Sequence, residues 1–69
     1  MGMVLAEKLA KNLKKRRGKM TQREFARKLG ISPATLARLE LAEQNTTLAT
    51  LEQLCKALKC TIGALFEEE

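Results

Sequence analysis

The side chains of this sequence that could carry chemistry are mostly cationic. Residues 1–38 contain eleven Lys and Arg against two Glu, a net charge of about +9, whereas residues 39–69 contain two Lys against six Glu, about −4. The densest block is KKRR at 14–17, followed by Lys19. Clustered cations of this kind bind phosphate, so the sequence predicts that one half faces a nucleic-acid backbone and the other does not.

Arg38 is a separate cationic feature, isolated within the apolar stretch PATLARLEL. A guanidinium can bond guanine O6 and N7 in a bidentate fork, which reads a base. The alternative for the same side chain is a contact with a phosphate.

Catalysis is not expected. The sequence has no His and no Asp, and its two cysteines, Cys55 and Cys60, do not have the spacing of a metal site. We therefore predict no enzyme activity, no metal and no cofactor, and we interpret both cysteines as small apolar core residues.

Two short helices must position Arg38. Thr21, with a glutamate three residues later, forms a capping-box pattern that starts one helix, and Gly30 ends it. Ser32 and Pro33 start the next helix almost at once. A turn this short predicts a helix-turn-helix over 22–41, the motif whose second helix enters the major groove of DNA.

The sizes of the residues fit that motif. Ala26 would face the second helix, Ile31 would fill the turn, and Leu36 with Leu39 would bury the inner face. The outer face would then consist of Pro33, Ala34, Ala37 and Arg38.

The remaining pattern predicts one all-α domain over 1–69, a compact five-helix bundle. An apolar stripe with Leu5, Leu9 and Leu13 lies in a first helix that runs to about Arg17. Thr47 caps a fourth helix, whose stripe of core residues begins at Leu48, and Thr61 caps a fifth. A core this small favours dimerisation. The candidate contact residues are Leu41, Ile62, Leu65 and Phe66.

No apolar run is long enough for a membrane span and no signal-peptide core is present, so we expect a cytoplasmic protein without a membrane partner.

Three consecutive segments then carry a resemblance: MTQREFARKLGIS, TLARLE and LATLEQLCKALKCTIGALF. Together they resemble helices two to five of the phage-repressor and Cro-like (XRE-type) helix-turn-helix regulators. The resemblance implies a lambda-repressor-like fold that binds double-stranded DNA at a pseudo-palindromic operator, as a homodimer and most often as a repressor.

The resemblance also implies roles for individual residues. Gln22 matches a glutamine that bonds a phosphate and braces the recognition helix, and Glu40 matches a glutamate that forms a structural ion pair, here with Lys15. The matching base-reading set is Ser32, Pro33, Ala34, Thr35, Ala37 and Arg38. The phosphate candidates are Gln22, Arg16, Arg17, Lys19, Arg23 and Asn45.

The sequence departs from the family pattern after Glu40. Ala42 and Thr46 stand where members commonly have Gly and Pro. We therefore expect the third helix to run past Glu40, to about Glu43, with Asn45 as a left-handed turn residue.

Two classes of function remain open at this point. The first is a sequence-specific transcriptional regulator. The second is a protein-interaction adaptor or antitoxin-type module on the same fold, with a cognate toxin or another protein as its partner, and its signature would be weak, salt-insensitive affinity for DNA.

Overall fold

The computed structural model describes residues 4–43 and 46–67. Their regular elements are five helices, and no strand occurs among these residues. The helices are α1 Val4–Arg17, α2 Gln22–Leu29, α3 Pro33–Glu40, α4 Leu48–Leu58 and α5 Ile62–Leu65. The predicted all-α, five-helix fold is confirmed. Across the described part of the chain, no helix is both long and apolar enough to cross a membrane.

Hydroxyl side chains start the last four helices. Thr21, Ser32, Thr47 and Thr61 each accept a hydrogen bond from the backbone N–H three residues later. At Thr21 the capping box is complete, because the Glu24 side chain accepts in return from the Thr21 N–H at 3.0 Å. These bonds satisfy backbone donors that a helix leaves unpaired at its N-terminus, and the starts predicted from these four residues are correct.

One apolar cluster holds the helices together. α1 packs on α3 and α5, α2 packs on α3 and α4, and α4 packs on α5. Ala26 is fully buried between helices, as its size predicts. The buried apolar side chains of the cluster are Leu9, Leu13, Phe25, Ala26, Leu29, Leu36, Leu39, Leu54 and Leu65.

Two leucines expected in the apolar stripes lie outside this cluster. Leu5 in α1 is 61% exposed and Leu48 in α4 is 80% exposed. In both helices burial increases along the stripe, to Leu13 in α1 and to Leu54 in α4. The N-terminal turn of each helix therefore extends past the small core.

The end of α3 corrects the sequence expectation. The helix stops at Glu40, and Ala42 takes a left-handed conformation with φ +62°. The Ala42 N–H donates to Leu39 O at 3.1 Å and the Glu43 N–H to Arg38 O at 3.2 Å. This is the Schellman pattern that glycine usually provides. Alanine adopts this conformation here, so the helix ends at Glu40 without the glycine that usually provides such a turn.

Two side-chain amides attach α4 and α5 to the helices before them. Gln53 Nε2 of α4 donates to Leu29 O, the last carbonyl of α2, at 3.0 Å. Asn12 Nδ2 of α1 donates to Ala64 O and Glu67 O, both at 3.0 Å, at the end of α5. Carbonyls at helix ends lack partners within the helix, so these amides fix the ends of α2 and α5 in place.

Candidate nucleic-acid interface

The α2–α3 corner begins with a left-handed glycine. Gly30 has φ +76°, its N–H donates to Arg27 O at 3.2 Å, and the Ile31 N–H donates to Ala26 O at 3.0 Å. Ile31 packs against the apolar cluster from within the turn. Ser32 then caps α3, so three residues join the two helices. The chain reverses tightly enough for α2 and α3 to pack directly on each other.

A buried carboxylate fixes α3 against α1 and α2. Glu40, at the last position of α3, is 4% exposed. Arg17 of α1 donates from Nε to Glu40 Oε2 at 2.9 Å and from Nη2 to Oε1 at 3.1 Å. Gln22 Nε2 of α2 donates to the same Oε1 at 2.9 Å. Because a buried charge is costly unless it is paired and hydrogen-bonded, these three bonds hold the end of α3 in one position.

α3 has two different faces. Leu36 and Leu39 lie in the core, whereas Pro33, Ala34 and Arg38 are exposed. A short helix braced on its inner side presents an outer face with one long cationic side chain and small neighbours. That arrangement suits insertion into a groove whose walls are phosphates and whose floor is base edges.

A comparison with protein families decides what this arrangement is. The helix-turn-helix family model matches residues 9–65, most of the chain. The chain belongs to the helix-turn-helix family. The resemblance to phage-repressor and Cro-like regulators is confirmed, and the protein is a DNA-binding helix-turn-helix domain. No curated protein and no solved structure matches the chain.

In a helix-turn-helix protein α3 is the recognition helix, and the structure places the expected base-reading residues on or near its outer face. Four of them are exposed and two, Thr35 and Ala37, are half-buried. The hydroxyls of Ser32 and Thr35 lie 2.8 Å apart in a mutual hydrogen bond, and Ser32 Oγ also caps the helix. Arg38 has the longest side chain of this set, so it reaches farthest from the helix.

The phosphate candidates fall into four groups. Lys19 and Arg23 are exposed on either side of the start of α2. Arg16 is exposed, but its Nε donates to Asn12 Oδ1 at 2.6 Å, on the side of α1 that meets α5. Asn45 lies outside the described residues. The other two candidates, Arg17 and Gln22, bond Glu40, and Arg17 Nη1 also donates to Met20 O at 3.0 Å.

The predicted partner of Glu40 is wrong. The guanidinium of Arg17, and not the ammonium of Lys15, binds the carboxylate. Arg17 follows the buried Leu13 by four residues and so continues the face of α1 that packs inward, whereas Lys15 lies about 200° away around the helix and is exposed. Helical periodicity could have identified Arg17 from the sequence.

The four candidates for subunit contact differ in how exposed they are. Leu41 is 72% and Ile62 is 51% exposed, so both are available at the surface. Leu65 is fully buried in the core of its own chain, which removes it from the set, and Phe66 is half-buried against the same core. Leu48, which the sequence assigned to the interior, joins the exposed apolar residues instead.

A small polar cavity of about 160 Å³ lies beside Arg38. The end of α3 and the start of α4 form it, and its lining includes Arg38, Glu43, Thr46 and Thr50. Glu43 and Thr50 were missed because they lie after the motif in sequence; the Schellman turn at Ala42 is what brings Glu43 back toward α3. Within the described residues no group of three metal-ligating side chains converges.

Proposed function

We propose that the protein is a sequence-specific transcriptional regulator that binds a pseudo-palindromic operator as a homodimer and acts as a repressor. In this proposal α3 lies in the major groove, and the protein works in the compartment that holds the DNA. The proposal goes beyond DNA binding in naming specificity, dimerism and repression.

The observation that carries the proposal is the fixed position of α3, which presents Arg38 at the surface. The helix that bears it is capped by Ser32 at one end and held by the buried Glu40 at the other. Base reading needs a donor pair held at a fixed distance and angle from a base edge, because the bidentate fork is strongly directional. A brace at both ends of an eight-residue helix supplies that positioning.

The charge distribution supports contacts with the DNA backbone. Lys19 and Arg23 are exposed on either side of the start of α2. Gln22, the first residue of α2, bonds Glu40 at the C-terminal end of α3. Cations in this position can bind the phosphates that flank the groove and so set the register of α3, while Arg38 supplies the sequence preference.

The exposed apolar residues support a dimer. Leu41 directly follows α3, Leu48 begins α4 and Ile62 begins α5. These side chains are between 51% and 80% exposed. A small helical domain that leaves such side chains in solvent can bury them against a second copy. Two copies related by a two-fold axis would read half-sites separated by one helical turn, about 34 Å.

The decisive experiment is selection of binding sites from random duplex DNA at about 100–150 mM salt, where non-specific electrostatic binding is weak. The expected result is a two-fold symmetric site with half-sites one turn apart. Enrichment of a single unpaired half-site would retain specific readout and reject the dimer. Failure to enrich any sequence would reject specific regulation.

A second candidate, the adaptor or antitoxin-type module, has one observation in its favour. A groove of about 460 Å³ between α4 and α5 is lined by Glu52, Lys56 and Ile62, and Leu48 is exposed at the start of α4. Such a groove could receive an apolar segment of another protein. For this function we expect DNA affinity that barely changes with salt, which a titration at several salt concentrations measures.

A further inference from the structure

The cysteines occupy two related positions at the end of α4. Lys59, with φ +54°, is the left-handed residue that ends the helix. Its N–H donates to Lys56 O at 3.3 Å, and the Cys60 N–H donates to Cys55 O at 3.0 Å. The second bond is the six-residue bond of a Schellman turn, so Cys55 and Cys60 are the residues whose side chains such a turn brings into contact.

The two side chains are neighbours, since the thiol of Cys60 raises the pKa of the Cys55 thiol. Both side chains are half-buried against the apolar cluster, and both cysteines are free. A disulfide forms where two cysteine backbones are close and their Cβ atoms point toward each other. The turn brings the two backbones close, with the Cys60 N–H bonded to Cys55 O at 3.0 Å, and it places the two thiols next to each other.

We propose that Cys55 and Cys60 are an oxidisable dithiol site, which accepts oxidising equivalents from a low-molecular-weight disulfide and becomes an intramolecular disulfide bridge across the end of α4. The proposal is independent of DNA binding, because it uses no residue of α2 or α3.

The chemistry is thiol–disulfide exchange. One cysteine loses its proton and its thiolate attacks a sulfur of the small disulfide, which forms a mixed disulfide and releases one small thiolate. The second cysteine, also deprotonated, attacks the protein sulfur of the mixed disulfide, which forms the Cys55–Cys60 bond and releases the second small thiolate. Both released thiolates take up protons. Two electrons pass from the cysteines to the small disulfide, which ends as two thiols.

The surroundings of Cys55 set the conditions for the reaction. Burial raises the pKa of the Cys55 thiol, and the neighbouring Cys60 and Glu52 raise it further. The raised pKa leaves a small thiolate fraction, so exchange at Cys55 is slow at neutral pH and becomes faster as the pH rises. Cys55 also lines the groove between α4 and α5, which gives a small disulfide access to it.

The test uses the full chain, folded, with oxidised glutathione as the probe. After incubation, free thiols are alkylated with N-ethylmaleimide and the intact mass is measured. We expect a monomer that has lost two hydrogens and takes up no maleimide, with a peptide map that links 55 to 60 and a rate that increases with pH. Thermal unfolding of this product should occur at a higher temperature than that of the reduced protein.

The matched control moves one thiol by a single residue. In the double variant Cys55→Ser with Lys56→Cys, two cysteines remain near the same turn, but one has rotated by about 100° around the helix. We expect it to accumulate glutathione adducts at a concentration at which the wild type forms the bridge. Cys60→Ser should keep one adduct on Cys55.

Three results would overturn the proposal. In the first, the folded protein stays fully alkylatable while the urea-unfolded protein forms the bridge. In the second, the product is a disulfide-linked pair of chains. In the third, the bridged monomer unfolds at a lower temperature than the reduced one, which would mean that the native turn does not fit the bond.

Discussion

Two corners of this molecule have the same backbone design and different residues. α2 joins α3 through Gly30, Ile31 and Ser32, and α4 joins α5 through a left-handed Lys59, Cys60 and the cap Thr61. Each corner has a left-handed residue, a half-buried residue that packs against the core, and a hydroxyl cap. The tight corner by itself therefore does not distinguish the α2–α3 pair from the α4–α5 pair.

The two corners differ in the helix that each one leads into. α3 is eight residues long and ends in Glu40, which is bonded to two other helices, whereas α5 has four residues and ends under the amide of Asn12. The first corner thus presents an outward helix that is fixed at both ends, while the second closes the core with Leu65. The anchor at the far end of the second helix, Glu40 in α3, is therefore the feature that distinguishes the first corner from the second.

The largest effect should come from breaking that anchor. Arg17→Met removes two of the three bonds to the buried Glu40 and leaves its charge to Gln22 alone. Because loss of one partner of a buried pair costs about 3–5 kcal/mol and Gln22 retains one bond, we expect a loss of about 3 kcal/mol of unfolding free energy. Urea denaturation measures it.

Two companion variants sharpen this result. Lys15→Met removes the same charge from the same helix and should change stability by less than about 0.5 kcal/mol, as an exposed site does. The double variant Arg17→Met with Glu40→Met should regain most of the loss, because no buried charge remains. If Lys15→Met were the more damaging single change, Lys15 and not Arg17 would be the anchor in solution.

The next effect concerns the glycine of the first corner. A Cβ at Gly30 would lie 2.6 Å from Gln53 Nε2, the group that bonds Leu29 O. Gly30→Ala should therefore combine the cost of a left-handed alanine with disturbance of that bond, about 2 kcal/mol in all. Gly18 is the control: it also has positive φ, and a Cβ there would have nothing within 4 Å.

We expect Gly18→Ala to cost about 1 kcal/mol, the backbone term alone. In a Gln53→Ala background, Gly30→Ala should cost about the same as Gly18→Ala, since the collision is gone. Equal costs for the two glycines in the wild-type background would show that Gln53 moves aside freely.

The third effect is on DNA rather than on stability. Arg38→Ala should lower discrimination at one base per half-site about tenfold, roughly 1.4 kcal/mol, and leave the salt dependence of binding nearly unchanged. Lys19→Ala with Arg23→Ala should instead weaken binding to all sequences and flatten the salt dependence. Affinities for a selected site and its single-base variants, at several salt concentrations, separate the two. A uniform loss from Arg38→Ala would assign it to a phosphate.

These contrasts also show which features local sequence patterns predict. The starts of four helices were predictable because a hydroxyl cap is a one-residue signal read within three residues. The end of α3 was not, because Ala42 carries no signal for positive φ, and only packing of the whole turn forces it there. The choice of Arg17 over Lys15 was predictable, because Arg17 continues the inward-facing Leu9–Leu13 stripe at helical spacing and Lys15 does not.

Part of the candidate site was also predictable from local sequence patterns. The outer face of α3 can be deduced from helical spacing once the inner leucines are known, so the exposure of Arg38 was predictable. Leu65 was misplaced because an apolar residue in a four-residue helix has too few neighbours in sequence to show which side is buried. Glu43 was missed because its position depends on the turn at Ala42.

The smallest expected effect comes from placing glycine, the left-handed residue of the first corner, at two other left-handed positions, one of them in the second corner. Lys59 and Ala42 both hold positive φ without being glycine, at 54° and 62°. We expect Lys59→Gly and Ala42→Gly each to stabilise the fold by about 0.5–1 kcal/mol. Glycine relieves the strain of the left-handed conformation, and its greater freedom in the unfolded chain offsets part of that gain. That corresponds to a rise in Tm of about 4 °C in a domain of this size. A fall in Tm for Lys59→Gly alone would show that the lysine stem contributes packing that outweighs its backbone strain, and the two corners would then differ in their contacts as well as in their anchors.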